Sequence, residues 1–417
     1  KSKPMIIPSI DLQDGQAVQL IGGEKREIEA GDPMPIAERF SVAGDIAVID
    51  LDAAMRTGSN ADLVETLIAR FDCNVGGGIR DVQTAIRWLD KGARRIILGT
   101  MAKPEILRQL PKNRVIAALD ARHGEVVVEG WKQGTGEGIF ERIEALKNLV
   151  SGFLVTFVEL EGRLAGTNLD LARQIVEAAK PASVIIAGGV TTVEEVAALD
   201  ALGADCQVGM ALYSGRMDLG EAVAAPITSD RPDGLIPTVV SDERGMTLGL
   251  VYSSRESIKA AVNERRGIYQ SRSRGLWRKG ESSGNIQELL AIRADCDRDS
   301  LQFIVRQSGR GFCHLGTRGC FGDDRDLGRL ARRLQSRAAS APAGSYSRKL
   351  IDDPALLAGK ILEEANELVE AGSRDEVIWE AADLIFFTLT RLAAEGVSLE
   401  EVEHHLNRRE RKVTRRN

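Results

Sequence analysis

Val75-Gly-Gly-Gly-Ile-Arg80 returns about 110 positions later as Ala187-Gly-Gly-Val190. The same offset relates Ser9-Ile-Asp-Leu12 to Ala118-Leu-Asp-Ala121, and Leu98-Gly-Thr100 to Val208-Gly-Met210. Three motif pairs at one spacing indicate two similar halves. Between them, short β-branched runs (Met5–Ile10, Ile46–Leu51, Arg95–Leu98, Val115–Leu119, Phe153–Phe157, Ser183–Ala187) alternate with amphipathic stretches such as Val82–Leu89 and Val193–Leu202. Alternating strands and helices imply βαβ units and a parallel sheet. Two four-stranded halves predict a (β/α)8 TIM barrel over residues 1–225.

In such a barrel the catalytic groups stand at the C-terminal strand ends. Asp11 and Asp120 are symmetry mates there, placed to act as acid and base across the mouth. Gly77, Gly78, Gly99, Gly188, Gly189 and Gly209 fall at strand ends or the following turns. Lacking Cβ, they let backbone N–H groups approach phosphate, although simple turning of the chain is the competing reading. One such device in each half suits a substrate with a phosphate at both ends.

The texture changes at Ser229. Thr238–Val240, Thr247–Val251 and Ser300–Val305 predict strands, hence a β-rich α+β metal-binding domain over 226–335. Asp295-Cys296-Asp297-Arg298-Asp299 is expected to open a strand, with the aspartates on one face and the thiol on the other. Carboxylates suit Mg2+ and thiolates suit Zn2+. Cys313 and Cys320 follow, with His314 beside the first. Any one cysteine is most simply a small buried hydrophobe, but three of the five crowd this stretch. Three sulfur ligands leave a fourth tetrahedral position open for water, as catalytic zinc requires.

Residues 336–344 read as a linker and 345–417 as an all-α domain, with helices over Pro354–Ala371 and Glu376–Glu395. Glu364 and Glu367, and then Glu380 and Asp383, are spaced to share helix faces. Apolar neighbours turn them toward a core, where acids need a counter-ion, and four facing acids would cage Mg2+. The Arg408–Arg416 cluster reads as a solvated helix end and tail.

A net charge of −6 and a pI near 5.6 argue against a nucleic-acid-binding surface, which needs an excess of Lys and Arg. No apolar run approaches membrane-spanning length. An odd count of five cysteines fits reduced thiols and predicts a cytoplasmic location. Lys1 in place of methionine gives the expectation of a trimmed N-terminus.

Ser271-Arg-Ser-Arg274, Trp277-Arg-Lys-Gly-Glu281, Ser283-Gly284, the Asp295–Asp299 run and Gly311-Phe-Cys-His314 with Cys320-Phe321 resemble phosphoribosyl-AMP cyclohydrolase. The resemblance implies hydrolytic opening of a purine ring between N1 and C6. It also implies zinc on Cys296, Cys313 and Cys320, magnesium on Asp295, Asp297 and Asp299, and a homodimer that shares zinc ligands. Arg272, Arg274, Trp277, Lys279 and Ser283 would meet substrate, with His314 as general base. Asn285 stands where many bacterial members have His, as it does in fungal multifunctional enzymes.

Ser345-Tyr-Ser-Arg348, Lys360-Ile-Leu-Glu-Glu-Ala365 and the paired acids resemble phosphoribosyl-ATP pyrophosphohydrolase. That implies cleavage between the α- and β-phosphates, with magnesium on Glu364, Glu367, Glu380 and Asp383. Pro8-Ser-Ile-Asp-Leu12, Val75–Arg80, Leu119-Asp-Ala-Arg122, Gly130-Trp131 and Val208-Gly209 with Ala211-Leu212-Tyr213 resemble the cofactor-free isomerase of the same pathway, which performs an Amadori rearrangement. Arg80 and Trp131 would then meet substrate. Where that family has Thr-Asp-x-x-x-Asp-Gly-Thr, this chain has Thr156-Phe-Val-Glu-Leu-Glu-Gly-Arg163, which retains Thr156 and offers Glu161 as the acid.

The combined expectation is a fused histidine-biosynthetic enzyme acting on phosphoribosyl nucleotides, without nucleic-acid or membrane partners. Two other readings stay open: a bifunctional hydrolase on a non-catalytic scaffold barrel, and a metal-binding regulatory protein.

Overall fold

The computed structural model describes residues 4–22, 25–122, 125–128, 133–322, 324–340, 342 and 344–414. Eight strands, β1 (Ile7–Gln13), β2 (Ile46–Asp50), β3 (Cys73–Gly76), β4 (Arg95–Leu98), β5 (Val115–Arg122), β6 (Gly152–Phe157), β7 (Ser183–Ala187) and β8 (Asp205–Val208), each pair in parallel with the next. Ile7 pairs with Gln207, which closes the cylinder. Side-chain alternation sorts the strands into two layers. Ile7, Ala47, Ile97, Ile116, Leu154 and Ile185 form the barrel interior. Ile6, Val48, Val75, Ile96, Phe153 and Ile186 belong to the outer core against the helices.

The helices begin and end where local chemistry directs. The Asp81 side chain accepts from Thr84 N ahead of helix Val82–Lys91, and left-handed Gly92 ends it. Thr192 and Glu195 form a capping box for helix Val193–Leu202. A hairpin, Gln16–Ile21 with Lys25–Gly31, follows β1.

The chain divides into two compact units, and the first holds the barrel and the following residues to Phe312. Beyond the barrel, a four-stranded sheet runs in the order Thr247–Ser253, Ile236–Asp242, Leu301–Gln307, Gln287–Ala294. The hairpin Ile268–Ser271 with Gly275–Arg278 and the helix Arg255–Glu264 complete it. The Arg255 guanidinium donates to the carbonyls of Ala224, Ala225 and Ile227 at 3.1, 3.2 and 2.7 Å, tying this sheet domain to the end of the barrel's last helix.

Three expectations need correction. Asp295–Asp299 is not strand but the turn that joins Gln287–Ala294 to Leu301–Gln307. Like charges that an extended chain would merely align are drawn together by that bend. Second, Leu327–Ser340 is one helix across the expected boundary at 335, so the predicted linker is partly helical. Ala331 and Leu334 pack with Leu389 and Ala393, which places this helix with the C-terminal ones. Its arginine-rich outer face disguised an apolar stripe.

Third, the basic tail is not simply solvated. Arg411 pairs with Asp72 at 2.6 Å, and its carbonyl accepts from Arg114 at 2.8 Å. The amides of Val413 and Thr414 donate to Asp90 at 2.6 and 3.2 Å. Asp72 precedes β3, so these contacts lie at the barrel end opposite the catalytic mouth.

The second unit, Cys313–Glu410, contains Tyr346–Asp352, Pro354–Glu370, Arg374–Ala394 and Leu399–Glu410 besides the helix above. Leu350, Leu357 and Phe387 form a second small core in it. Among the described residues no helix is long and apolar enough to cross a membrane.

Candidate functional site

At the barrel mouth, Thr156 of β6 lies in register beside Asp120 of β5, and Asp11 stands near the end of β1. Glu161 comes from the loop after β6. Burial, followed by the charges of Asp11 and Asp120, pushes its carboxyl up to about 8. Burial raises Asp11 to about 7. Burial thus holds both carboxyls well above the ordinary carboxylate range, which lets a carboxyl at the mouth keep or take a proton near neutral pH, as acid–base chemistry requires. Phe153, Val155 and Phe157 share the outward-facing core. The first aspartate of the family pattern therefore falls on the helix side, and Phe157 leaves the acids of the mouth intact.

Gly188 and Gly189, both with positive φ, line a cavity together with Ser9, Glu161, Gly209 and Ala211. A Cβ on Gly188 would lie 2.7 Å from the Phe157 carbonyl oxygen and 3.0 Å from Glu161 Oε2. Gly188→Ala should therefore destabilise the chain by more than about 1 kcal/mol and displace the acid. Thermal melting and an isomerisation assay of the same variant check both effects.

In the other half, Gly77 and Gly78 also have positive φ, while Gly99 is exposed. Arg80 does not project freely: it donates to the carbonyls of Ala53 and Ala54 at 2.8 and 3.0 Å. Trp131 lies outside the described residues.

Two groups at the mouth escaped the sequence reading. Ser9 shares the face of Asp11 by two-residue alternation, which was a usable signal. The buried Tyr213 hydroxyl has no hydrogen-bond partner, and burial together with the Asp11 charge raises its pKa. No sequence spacing announces that proximity.

In the sheet domain, oxygens of Asp295, Asp297 and Asp299 lie within 4.8 Å of one another. Asp295 Oδ1 accepts from the amides of Asp299 and Ser300, both at 3.2 Å. These hard oxygens fit a magnesium-like cation. Arg272 stacks 5.4 Å from the Tyr252 ring centroid and Arg274 5.1 Å from that of Trp277. Lys279 Nζ lies 5.8 Å from the Trp277 centroid and 5.3 Å from that of Phe312. Ser283 Oγ accepts from Asn285 N at 3.4 Å, and Asn285 Oδ1 accepts from Arg310 N at 3.0 Å. Asn285 thus serves as a loop staple. Cys296 is exposed on the first unit; Cys313 (buried), His314 and Cys320 (both exposed) belong to the second. Cysteine sulfur is the donor type that suits zinc.

In the helical unit, oxygens of Glu364, Glu367 and Glu380 likewise lie within 4.8 Å of one another. Burial, and then Asp383 and Glu367, push the Glu364 carboxyl above the usual range. Glu380 is raised by desolvation and by Glu367 and Glu364. Lys360 Nζ stands 3.9 Å from Glu364. Acids crowded in this way suit a divalent cation.

A (β/α)8 barrel with facing acids at its mouth, followed by two acidic sets suited to cations, defines a multidomain enzyme. Three families match it in chain order: histidine biosynthesis protein over residues 5–218, phosphoribosyl-AMP cyclohydrolase over 249–322, and phosphoribosyl-ATP pyrophosphohydrolase over 327–410. The chain belongs to the histidine biosynthesis protein family, with the two other segments fused behind its barrel.

An imidazole-4-carboxamide isomerase of Methanocaldococcus jannaschii is 35% identical over 232 residues, covering 52% of this chain and 98% of that protein. The histidine biosynthesis bifunctional protein of Schizosaccharomyces pombe is 49% identical over 201 residues, 48% of each chain. The trifunctional protein of Neurospora crassa is 37% identical over 353 residues, 83% of this chain and 38% of its own length. The chain thus spans half or less of these fungal relatives.

Proposed function

We propose that the chain performs three consecutive steps of histidine biosynthesis, in reverse chain order. The helical unit hydrolyses phosphoribosyl-ATP to phosphoribosyl-AMP and pyrophosphate, the sheet domain opens the purine ring, and the barrel isomerises the product. The observation that carries this reading is that each matched segment gathers an acidic set of its own.

Glu364, Glu367 and Glu380, with Asp383 nearby, would hold Mg2+ against the phosphates. Asp295, Asp297 and Asp299 would hold a second Mg2+, and Cys296, Cys313 and Cys320 would hold zinc. Such ions neutralise phosphate charge and activate water. Arg272, Arg274 and Lys279 bring positive charge toward an anionic nucleotide. In the barrel, Asp11 takes a proton and Glu161 supplies one. Asp120 and Thr156 stand beside that exchange, and the Gly188–Gly189 turn offers amides to a phosphate.

A homodimer is part of the proposal. Val369, Val377, Ile378 and Trp379 are exposed, Trp379 at 69%, an apolar surface that a second copy would cover. We also propose a cytosolic location, where the cysteine thiols remain reduced.

The test is to feed phosphoribosyl-ATP to purified protein with Zn2+ and Mg2+ and follow the products by chromatography. Sequential loss of pyrophosphate, ring opening and isomerisation is expected. No pyrophosphate sinks the helical assignment, and accumulation of phosphoribosyl-AMP sinks the middle one. Stalling at the opened imidazole compound would favour the scaffold-barrel reading, which Arg163 in place of the family threonine keeps in view.

A further inference from the structure

Arg298 lies between the last two aspartates of the acidic triplet, yet its side chain leaves them. Its guanidinium donates to Asp200 Oδ1 at 2.6 Å, Asp200 Oδ2 at 3.2 Å and the Pro4 carbonyl at 3.0 Å. Asp200 lies on the barrel helix Val193–Leu202. The two side chains are only 8% and 14% exposed, so solvent screens this pair far less than a surface pair. The Arg298 carbonyl accepts from Thr228 N at 2.8 Å, which anchors the same residue from the interdomain segment. Its φ is +68°, a left-handed conformation that a side-chain-bearing residue holds only where its surroundings over-determine it.

We propose that Arg298 is a positioning residue, through which the barrel holds the turn that presents Asp297 and Asp299 to a divalent cation. The inference rests on reading the triplet as a cation site. A bidentate guanidinium–carboxylate pair fixes orientation as well as distance. With Thr228 on the backbone and Asp200 on the side chain, the residue between the two aspartates is held at both ends. The barrel thereby supports a neighbouring site whether or not its own mouth is catalytic.

The test uses the full chain and Mn2+ as a paramagnetic probe, with free ion measured by electron paramagnetic resonance. The triplet's site is the one lost in Asp297→Asn. Arg298→Ala and Asp200→Asn should each weaken it about tenfold, the scale on which outer partners affect metal affinity. Mn2+ binding by the helical acids should stay unchanged, and Arg298→Lys should recover part of the loss. If Arg298→Ala does not fold, Asp200→Asn alone carries the comparison. Unaltered affinity in Asp200→Asn, equal weakening of the helical site, or no site lost in Asp297→Asn would each overturn the proposal. Failure of the cyclohydrolase reading shows separately, as an intact Mn2+ site in protein that does not turn over phosphoribosyl-AMP.

Discussion

Asp11→Asn is expected to slow isomerisation about 10³-fold, the usual scale for losing a general base, while pyrophosphate release stays unchanged. Asparagine keeps the shape of the side chain and removes its ability to take a proton. Unchanged flux to the isomerised product would instead identify the barrel as scaffold. The wild-type pH profile offers an independent check. Asp11 must be ionised to act as base and titrates near 7, whereas Glu161 must be protonated to act as acid and titrates near 8. Isomerisation should therefore rise through pH 7, peak between the two values and fall above pH 8. The sign for stability is opposite to that of an ordinary ion-paired carboxylate. Both folded values lie above the ordinary carboxylate range, so the folded state binds protons more tightly and loses stability as pH climbs from that range toward 7 and 8. Asp11→Asn, which abolishes one of those titrations, should melt higher than wild type at pH 8.

Glu364→Gln should reduce pyrophosphate release by about 100-fold or more, because losing an outer partner of a metal alone costs 10–100-fold in affinity or activity. The same variant should be more stable than wild type when metal is removed. Burial and two neighbouring acids raise Glu364, so its ionisation opposes folding above the ordinary carboxylate range, and an isosteric amide relieves that opposition. Adding Mg2+ should reverse the order of melting temperatures, since the ion favours the folded wild type by mass action. Equal melting in the two proteins with and without Mg2+ would mean that these acids do not form the cation site.

The duplication around Gly77 and Gly188 was legible because a barrel half is a local pattern: apolar period, turn glycine, then helix cap. The eight strands and the inward acids Asp11 and Asp120 follow from it. The triplet was legible as a cluster but not as a turn, since Asp-Cys-Asp-Arg-Asp contains no glycine or proline to announce a bend. Its left-handed residue is an arginine whose partner lies 98 positions away. Likewise, the residues of Leu327–Ser340 did not disclose the core that their helix joins, because its apolar stripe is defined only by what covers it.

The amino-acid order by itself determined three segments, the barrel class of the first, and the residue types available for acid–base and metal chemistry. All of these depend on composition and on spacing of a few residues. Tertiary structure alone decided what those residues meet. It brings Glu161 to Asp11 and Asp120, turns Phe157 away from them, and returns Arg411 and Thr414 to the far end of the barrel. It also anchors Arg298 on Asp200. Each of these depends on distance between side chains far apart in the chain, and such distances exist only once the cores have closed.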